Sequence, residues 1–134
     1  MPTVAVVNDD RSFLMLMEEL LRDEGFEVLA FHEGAIAYDN IKKAQPDLVI
    51  LDLKMEEPDT GWQTVQLLCL DPETVHIPLI VCTAALQEVR DKRAWLEQHQ
   101  IGAIVKPFDV DDLITAVRST LATREPSYVG LDVA

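Results

Sequence analysis

Basic residues are scarce in this chain, and their scarcity argues against several kinds of partner. Lysine and arginine total 11 among 134 residues, against 24 aspartates and glutamates, so the formal net charge is −13. A nucleic-acid-binding surface needs a basic patch that neutralises phosphates, and we therefore expect no direct binding to nucleic acid. An anionic membrane surface would repel the chain for the same electrostatic reason.

Long hydrophobic runs and cysteine-rich patterns are also missing. The longest apolar runs are far too short to span a bilayer. A predicted strand begins at Val4, so we expect no signal peptide and a cytoplasmic location. Cys69 and Cys82 both lie in apolar stretches, which indicates small buried side chains rather than a disulfide or a zinc site.

The chain does contain a regular alternation of strand and helix patterns. Short apolar runs predict strands, and apolar residues at helical spacing predict the helices between them. The predicted strands are 4–7, 26–30, 47–52, 79–82 and 103–105, and the predicted helices lie at 13–21, 35–44, 62–70, 86–99 and 110–121. Such alternation implies right-handed crossovers, and hence a doubly wound α/β domain with a five-stranded parallel sheet. We predict this domain over residues 1–123, followed by a tail or the start of a linker at 124–134.

Chemically active side chains come at the ends of four predicted strands. The segment 8–10 (Asn-Asp-Asp) follows the first strand, Asp52 ends the third, Thr83 follows the fourth and Lys106 the fifth. Parallel strands bring these ends to one side of the sheet, where open α/β folds place their sites. Clustered acids repel one another unless a cation joins them, and oxygen ligands favour Mg²⁺. With the metal bound, one carboxylate can attack phosphorus and form an aspartyl-phosphate, while Lys106 and Thr83 stabilise the phosphoryl oxygens.

Four segments in order make the chain resemble a CheY-like receiver domain of a two-component response regulator. The segments are VVNDD at 6–10, LVILDLKM at 48–55, PLIVCTA at 78–84 and VKPF at 105–108. The resemblance covers about residues 3–123 and implies the flavodoxin-like receiver fold with strand order 2-1-3-4-5. It also implies a phosphoacceptor that catalyses only its own phosphotransfer and dephosphorylation and is not an enzyme with an external substrate.

Roles follow from the resemblance residue by residue. Asp52 matches the phosphoacceptor, Asp9 matches a metal-binding acid, and Lys54 matches the position whose backbone carbonyl binds Mg²⁺. Thr83 matches the switch hydroxyl, and Lys106 matches the lysine that pairs with the phosphoryl group.

Asn8 and Asp10 are further candidate metal ligands, although Asp10 can instead cap the first helix and Asn8 can be a turn residue. The Lys106–Pro107 peptide bond is expected to be cis, as is typical of the family.

Three features depart from the family pattern. Asn8 stands where the family usually has an acid, and Asp10 or Glu56 could compensate for the missing charge. The loop after Asp52 lacks the usual Met-Pro and reaches Gly61 one residue late. Ala103 stands where the family usually has a Tyr or Phe three residues before the lysine. These departures favour an alternative function, a phosphorylation-independent (pseudo-receiver) protein-binding adaptor.

The resemblance implies protein partners on both sides of a phosphorelay. A histidine kinase or a histidine phosphotransfer protein would donate the phosphoryl group, and an effector protein would read the result. A homodimer through the face of the fourth helix, fifth strand and fifth helix fits the same resemblance. Two other α/β functions fit the sequence poorly: an aspartate-nucleophile phosphatase needs Asp at position 8, and dinucleotide binding needs Gly-x-Gly-x-x-Gly after the first strand.

Overall fold

A computed structural model describes residues 1–53 and 60–131, and a parallel sheet of six strands forms its centre. The strands are β1 (Thr3–Val7), β2 (Glu27–Phe31), β3 (Leu48–Asp52), β4 (Leu79–Thr83), β5 (Gly102–Val105) and β6 (Tyr128–Val129). Their order across the sheet is β2-β1-β3-β4-β5-β6. The predicted doubly wound α/β fold and the order of the first five strands are therefore confirmed.

Helices connect the strands and cover both faces of the sheet. Within the described ranges they are α1 (Arg11–Asp23), α2 (Gly34–Ala44), α3 (Thr60–Leu70), α4 (Leu86–Asp91), α5 (Arg93–Gln98) and α6 (Val110–Thr123). None of the helices in these ranges has the length and apolarity needed to cross a membrane.

Two apolar cores lie on opposite faces of the sheet. The first, between the sheet and α2–α5, includes Val49, Leu51 and Val81 from the strands and Val65 and Leu96 from the helices. The second, between the sheet and α1 and α6, is built in the same way, with Val6, Ile50, Ile80, Met17 and Leu113 among its members. Every residue of β3 and β4 is buried, because a central parallel strand is covered on both faces.

The first turn of α3 packs directly on the end of β3. A Cβ atom at Gly61 would lie 2.3 Å from the carbonyl oxygen of Leu53, so this position has no room for a side chain. Gly61 therefore allows the helix to approach the strand end that carries Asp52. Glu56, which stands where the family usually has Pro, and Met55 before it lie outside the described residues.

The sheet has a sixth strand that the sequence did not predict. Residues 124–134 show no periodicity, yet Tyr128 and Val129 pair in parallel with Ala103 and Ile104 of β5. Tyrosine and valine are strand-favouring residues, but two of them are too few for alternation to be detected. The predicted five-stranded sheet is thus extended at its β5 side, and the segment predicted to be a tail is in part a strand.

The predicted helix over 86–99 is two short helices, α4 and α5. The break lies at Lys92, whose φ and ψ of −103° and 8° depart from helical values. Its amide donates to both Glu88 O and Val89 O at 3.2 Å, which tightens the turn. Val89 and Leu96 are still buried on one side, and so their seven-residue spacing gave no sign of the break.

Candidate functional site

The strand registers bring four of the predicted site residues to the carboxyl end of the sheet. Val7 pairs with Leu51, so Asn8 follows β1 beside Asp52. Asp52 pairs with Cys82, the residue before Thr83. Thr83 in turn pairs with Val105, the residue before Lys106.

Asp52 is a buried carboxylate with two side-chain donors on one oxygen. Its residue is 7% exposed, which is low for an aspartate. The Lys106 ammonium lies 3.1 Å from Oδ2, and the Asn8 amide nitrogen donates to the same atom at 3.0 Å. A buried carboxylate needs such partners, because desolvation without them would disfavour the charge.

Asn8 joins three parts of the site. It is 2% exposed, its amide nitrogen donates to Asp52, and its amide oxygen accepts the backbone N–H of Asp10 at 2.9 Å. The side chain therefore fixes the turn after β1 and supplies a neutral donor to the carboxylate. Sequence reasoning identified this position as a possible metal ligand but could not tell which end of the amide faces Asp52.

The two acids that follow Asn8 have different surroundings. Asp10 Oδ1 accepts the backbone N–H groups of Ser12 and Phe13, and these bonds cap the first turn of α1. This is the capping role that the sequence left open for Asp10. Asp9 is exposed and lies between Asn8 and the cap, at the carboxyl end of β1.

Lys106 is positioned by the backbone on one side and by an aromatic ring on the other. Its backbone N–H donates to Thr83 O at 2.9 Å, and the Lys106–Pro107 peptide bond is cis, as the resemblance implies. The ammonium lies 4.2 Å from the centre of the Phe13 ring, within the range of a cation–π contact. Phe13 is a site neighbour that the sequence analysis missed, because its helical spacing predicted only packing.

Thr83 ends β4 as a buried hydroxyl. Its Oγ1 accepts the backbone N–H of Ala85 at 3.2 Å, so the hydroxyl hydrogen can donate to another oxygen. The preceding residue, Cys82, is buried beside Asp52 in the neighbouring strand. Burial raises the pKa of its thiol to about 12, with Asp52 adding to the rise and Lys106 opposing it. Cys82 is therefore a protonated, unreactive neighbour of the acid.

The donor set for a metal ion is small. In residues 1–53 and 60–131, no three carboxylate, imidazole or thiol side chains come together in a group that could hold a metal. Among the described residues, Asp9 and Asp52 are the predicted ligand carboxylates that do not cap a helix. Lys54 and Glu56, the other predicted contributors, lie outside the described residues.

Most of this chain matches one known domain family. The response regulator receiver domain family matches residues 4–118. The chain is a receiver domain. It therefore belongs to the signalling modules of two-component systems.

Several relatives of this receiver domain are longer proteins. The transcriptional regulatory protein PrrA of Mycobacterium leprae is 34% identical over 123 residues, which are 92% of this chain and 51% of that protein. The receiver spans about half the length of the first curated relatives that it matches.

Solved structures share the fold of this receiver domain. A response regulator receiver protein from Sinorhizobium medicae WSM419 has a TM-score of 0.77 and 28% identity, over 92% of this chain and 97% of that one. The receiver domain of sensor histidine kinase PA1611 from Pseudomonas aeruginosa PAO1 has a TM-score of 0.78 and 21% identity, over 91% and 98% of the two chains. That structure has a magnesium ion coordinated in its active site cleft.

Proposed function

We propose that this receiver domain accepts a phosphoryl group on Asp52 from a histidine kinase or a histidine phosphotransfer protein. The observation that carries the proposal is the pairing of one buried carboxylate oxygen with Lys106 at 3.1 Å and Asn8 at 3.0 Å. Three strand ends are needed to build this arrangement. A lysine placed there can stay with the acceptor as negative charge is added to it.

The transfer exchanges one bond to phosphorus for another. A carboxylate oxygen of Asp52 attacks the phosphorus of the donor, and the bond from phosphorus to the donor's imidazole nitrogen breaks as the new O–P bond forms. The electron pair of the broken bond stays on that nitrogen. The Lys106 ammonium and the Thr83 hydroxyl donate hydrogen bonds to the phosphoryl oxygens, whose charge is spread over three atoms.

The residues present fit a divalent metal held by few protein ligands. Mg²⁺ usually keeps several waters and takes one or two carboxylates, and Asp9 and Asp52 supply that number. Bound Mg²⁺ would supply positive charge next to the acceptor and orient the phosphoryl oxygens. Asn8 is not needed as a ligand, since its amide oxygen accepts the Asp10 N–H at 2.9 Å and its nitrogen holds Asp52.

Readout would pass from the site to a protein-binding face. The Lys106 backbone N–H donates to Thr83 O at 2.9 Å, so a shift of the Thr83 backbone that brings its hydroxyl to a phosphoryl group would also shift the end of β5. An effector protein, or a second copy of the chain, would recognise the surface formed by α4, α5 and α6 on the β5 side of the sheet, where Tyr128 and Val129 cover the outer side of β5. Such a domain acts in the cytoplasm and turns over no external substrate.

A phosphorylation-independent adaptor is the second candidate, and Asn8 is the observation that favours it. The family usually has an acid at this position, and the positive charge of a bound metal would offset the negative charge of that acid. Here a neutral amide already compensates the Asp52 carboxylate by donating a hydrogen bond to it. An adaptor of this kind would keep the fold for protein binding and would not need the acyl-phosphate.

Intact-mass measurement after incubation with acetyl phosphate and Mg²⁺ tests the first proposal. We expect the wild-type chain to gain one phosphoryl group and Asp52→Asn to gain none. Asp71→Asn is the matched control, because Asp71 also pairs with a lysine, at 2.9 Å, but lies away from the carboxyl ends of the strands. This control should be phosphorylated like the wild type.

Beryllofluoride with millimolar Mg²⁺ separates the two candidates further, because it occupies a phosphoacceptor site without covalent transfer. Intrinsic tryptophan fluorescence or amide NMR shifts would report binding. A wild-type chain that neither gains mass nor responds to beryllofluoride would contradict the phosphoacceptor proposal and leave the adaptor as the function.

A further inference from the structure

The C-terminal segment, residues 127–131, lies along the outer side of β5 and is tied to it by backbone and side-chain hydrogen bonds. Ser127 O accepts the N–H of Ala103 at 2.9 Å. The Tyr128 hydroxyl donates to Ile101 O at 2.9 Å. These bonds occupy a side of β5 that would otherwise be the open edge of a five-stranded sheet, with backbone groups available to another chain.

Side chains of the C-terminal segment enter both cores. Tyr128 packs against the core under α2–α5, and Val129 packs against the core under α1 and α6. A regular strand would place residue 131 on the same face as residue 129. Gly130 has a φ of +82°, which breaks this alternation, and Leu131 is therefore buried in the same core that Tyr128 contacts. The bulky side chains of Tyr128 and Leu131, three residues apart, therefore both face the core under α2–α5.

The opposing surface is shaped to receive an extended backbone. A Cβ atom at Gly102 would lie 2.6 Å from Ser127 O, so only glycine allows the segment to approach this closely. The Arg93 guanidinium of α5 lies 5.1 Å from the centre of the Tyr128 ring and covers it from the helix side. β5 and α5 together therefore form a binding surface for a strand that carries an aromatic side chain.

We propose that the outer side of β5 is a binding surface for an extended strand of a partner protein, which residues 127–131 occupy in cis. In this mode of recognition, main-chain hydrogen bonds supply affinity, and pockets for the side chains supply specificity. The partner strand runs parallel to β5, as β6 does, and offers bulky apolar side chains at two positions three residues apart. It is not strongly acidic, because this chain carries a net charge of −13.

The cis segment competes strongly with any partner strand for the outer side of β5. It is joined to α6 by a short connection, and such tethering gives an effective concentration on the order of millimolar. A partner therefore gains access only when the segment is displaced. Strand binding at this surface does not require phosphorylation of Asp52, because β5, β6 and α5 alone form it.

Displacement of the segment in the full-length chain provides the test. Leu131→Asp places a carboxylate in the apolar core that Leu131 occupies, and it should release the segment without altering β5. A fluorescently labelled synthetic peptide of residues 125–134 is then titrated by anisotropy against the wild type and the variant. We expect the peptide to bind Leu131→Asp with a dissociation constant at least about tenfold lower than the wild type's, because the cis competitor is lost.

Three further variants make the test specific. Leu70→Asp makes the same chemical change at a leucine that is 79% exposed, and it should bind the peptide as weakly as the wild type. Gly102→Ala combined with Leu131→Asp should bind the peptide less well than Leu131→Asp alone, because the added methyl group meets the peptide backbone. Gly130→Ala, strained at its positive φ, replaces Leu131→Asp if that chain does not fold.

Hydrogen exchange of the Ala103 amide reports the cis segment directly, since this N–H is bonded to Ser127 O at 2.9 Å. We expect faster exchange in Leu131→Asp and slow exchange again when the peptide is added. The Val49 amide, bonded to Pro78 O within the sheet, should stay slow and shows that the fold is intact. Equal peptide affinity in the wild type and Leu131→Asp, or no binding to either, would overturn the proposal.

Discussion

Two acid–lysine pairs in this receiver domain have nearly the same geometry and very different surroundings. Lys106 lies 3.1 Å from Asp52, and Lys42 lies 2.9 Å from Asp71. The first pair sits where three buried strands end. The second joins α2 to the residue that follows α3, on the surface of the domain.

The surface pair is part of a closed hydrogen-bond network. Asp71 accepts bonds from the Tyr38 hydroxyl, the Lys42 ammonium and the backbone N–H of Glu73, and Glu73 also contacts Lys42 at 3.0 Å. These donors, with the Tyr38 hydroxyl contributing most, lower the pKa of Asp71 to about 2. Such a pair holds two helices together but brings no further reactive group to the acid.

The strand-end pair brings different chemistry together. A neutral amide, a second acid and a hydroxyl all lie at the carboxyl end of the sheet with Asp52 and Lys106. A well-placed acid–lysine pair is therefore not by itself evidence of a site. The groups that neighbouring strand ends bring to the pair distinguish the two.

The largest expected effect is on the backbone that holds the strand-end pair. Gly61→Ala should lower the free energy of unfolding by about 3 kcal/mol, because its Cβ would collide with the Leu53 backbone. Urea denaturation measures the loss. Gly25→Ala is the control: its φ is +92° but no atom lies within 4 Å of the added carbon, so about 1 kcal/mol is expected. Equal losses would show that the close approach at Gly61 is not what limits this position.

Removal of each lysine in turn tests the difference between the pairs directly. Lys106→Met should lower the free energy of unfolding by about 2 kcal/mol, because a buried carboxylate loses a charged donor. Lys42→Met should have a clearly smaller effect, since Asp71 keeps its bonds to the Tyr38 hydroxyl and the Glu73 backbone N–H. Urea midpoints of the two variants at neutral pH provide the measurement. A larger loss for Lys42→Met would reverse the comparison.

A change at Asn8 sharpens the role of the neutral amide. Asn8→Asp replaces a donor 3.0 Å from Asp52 with a second carboxylate, so it should destabilise the metal-free protein by about 1–2 kcal/mol. Added Mg²⁺ should raise the melting temperature of the variant more than that of the wild type, because the extra charge tightens metal binding. An equal rise in both proteins, measured by thermal scans at several Mg²⁺ concentrations, would place position 8 out of reach of the metal.

The smallest expected effect concerns the surface pair and appears only in acid. Asp71 has a folded pKa of about 2, below the unfolded value of roughly 3.9, so its stabilisation is complete above the unfolded value. It is lost as the pH falls from about 4 to about 2. Asp71→Asn should therefore show a shallower fall of stability than the wild type across this range. Urea midpoints measured at steps of pH would reveal parallel curves if the network did not lower this pKa.

The fold was largely predictable because its evidence lies in long, regular patterns. Buried runs such as 47–52 and 79–82 identify central strands, and helical spacing identifies the segments between them. Once the strands were taken as parallel, Asp52, Thr83 and Lys106 had to lie at one end of the sheet. The cis bond before Pro107 also followed from the resemblance.

The features that were missed depend on contacts that no pattern encodes. Tyr128 and Val129 can pair with β5 because Gly102 leaves room for the backbone of the preceding residue, Ser127, and a distant glycine carries no local sign of its partner. The direction of the Asn8 amide depends on the Asp10 N–H and Asp52 together. The break at Lys92 leaves the apolar spacing of its helix unchanged.

The thiol of Cys82 is an intrinsic infrared probe of the charge at Asp52. Its thiol is buried, protonated and paired across the strand with Asp52. The S–H stretching vibration absorbs where water and amides absorb little, and its frequency depends on the local electric field. Infrared difference spectra of the unlabelled wild-type chain can therefore follow a change of charge at Asp52 in real time. Cys82→Ala supplies the blank, because it removes the band and leaves the acid in place.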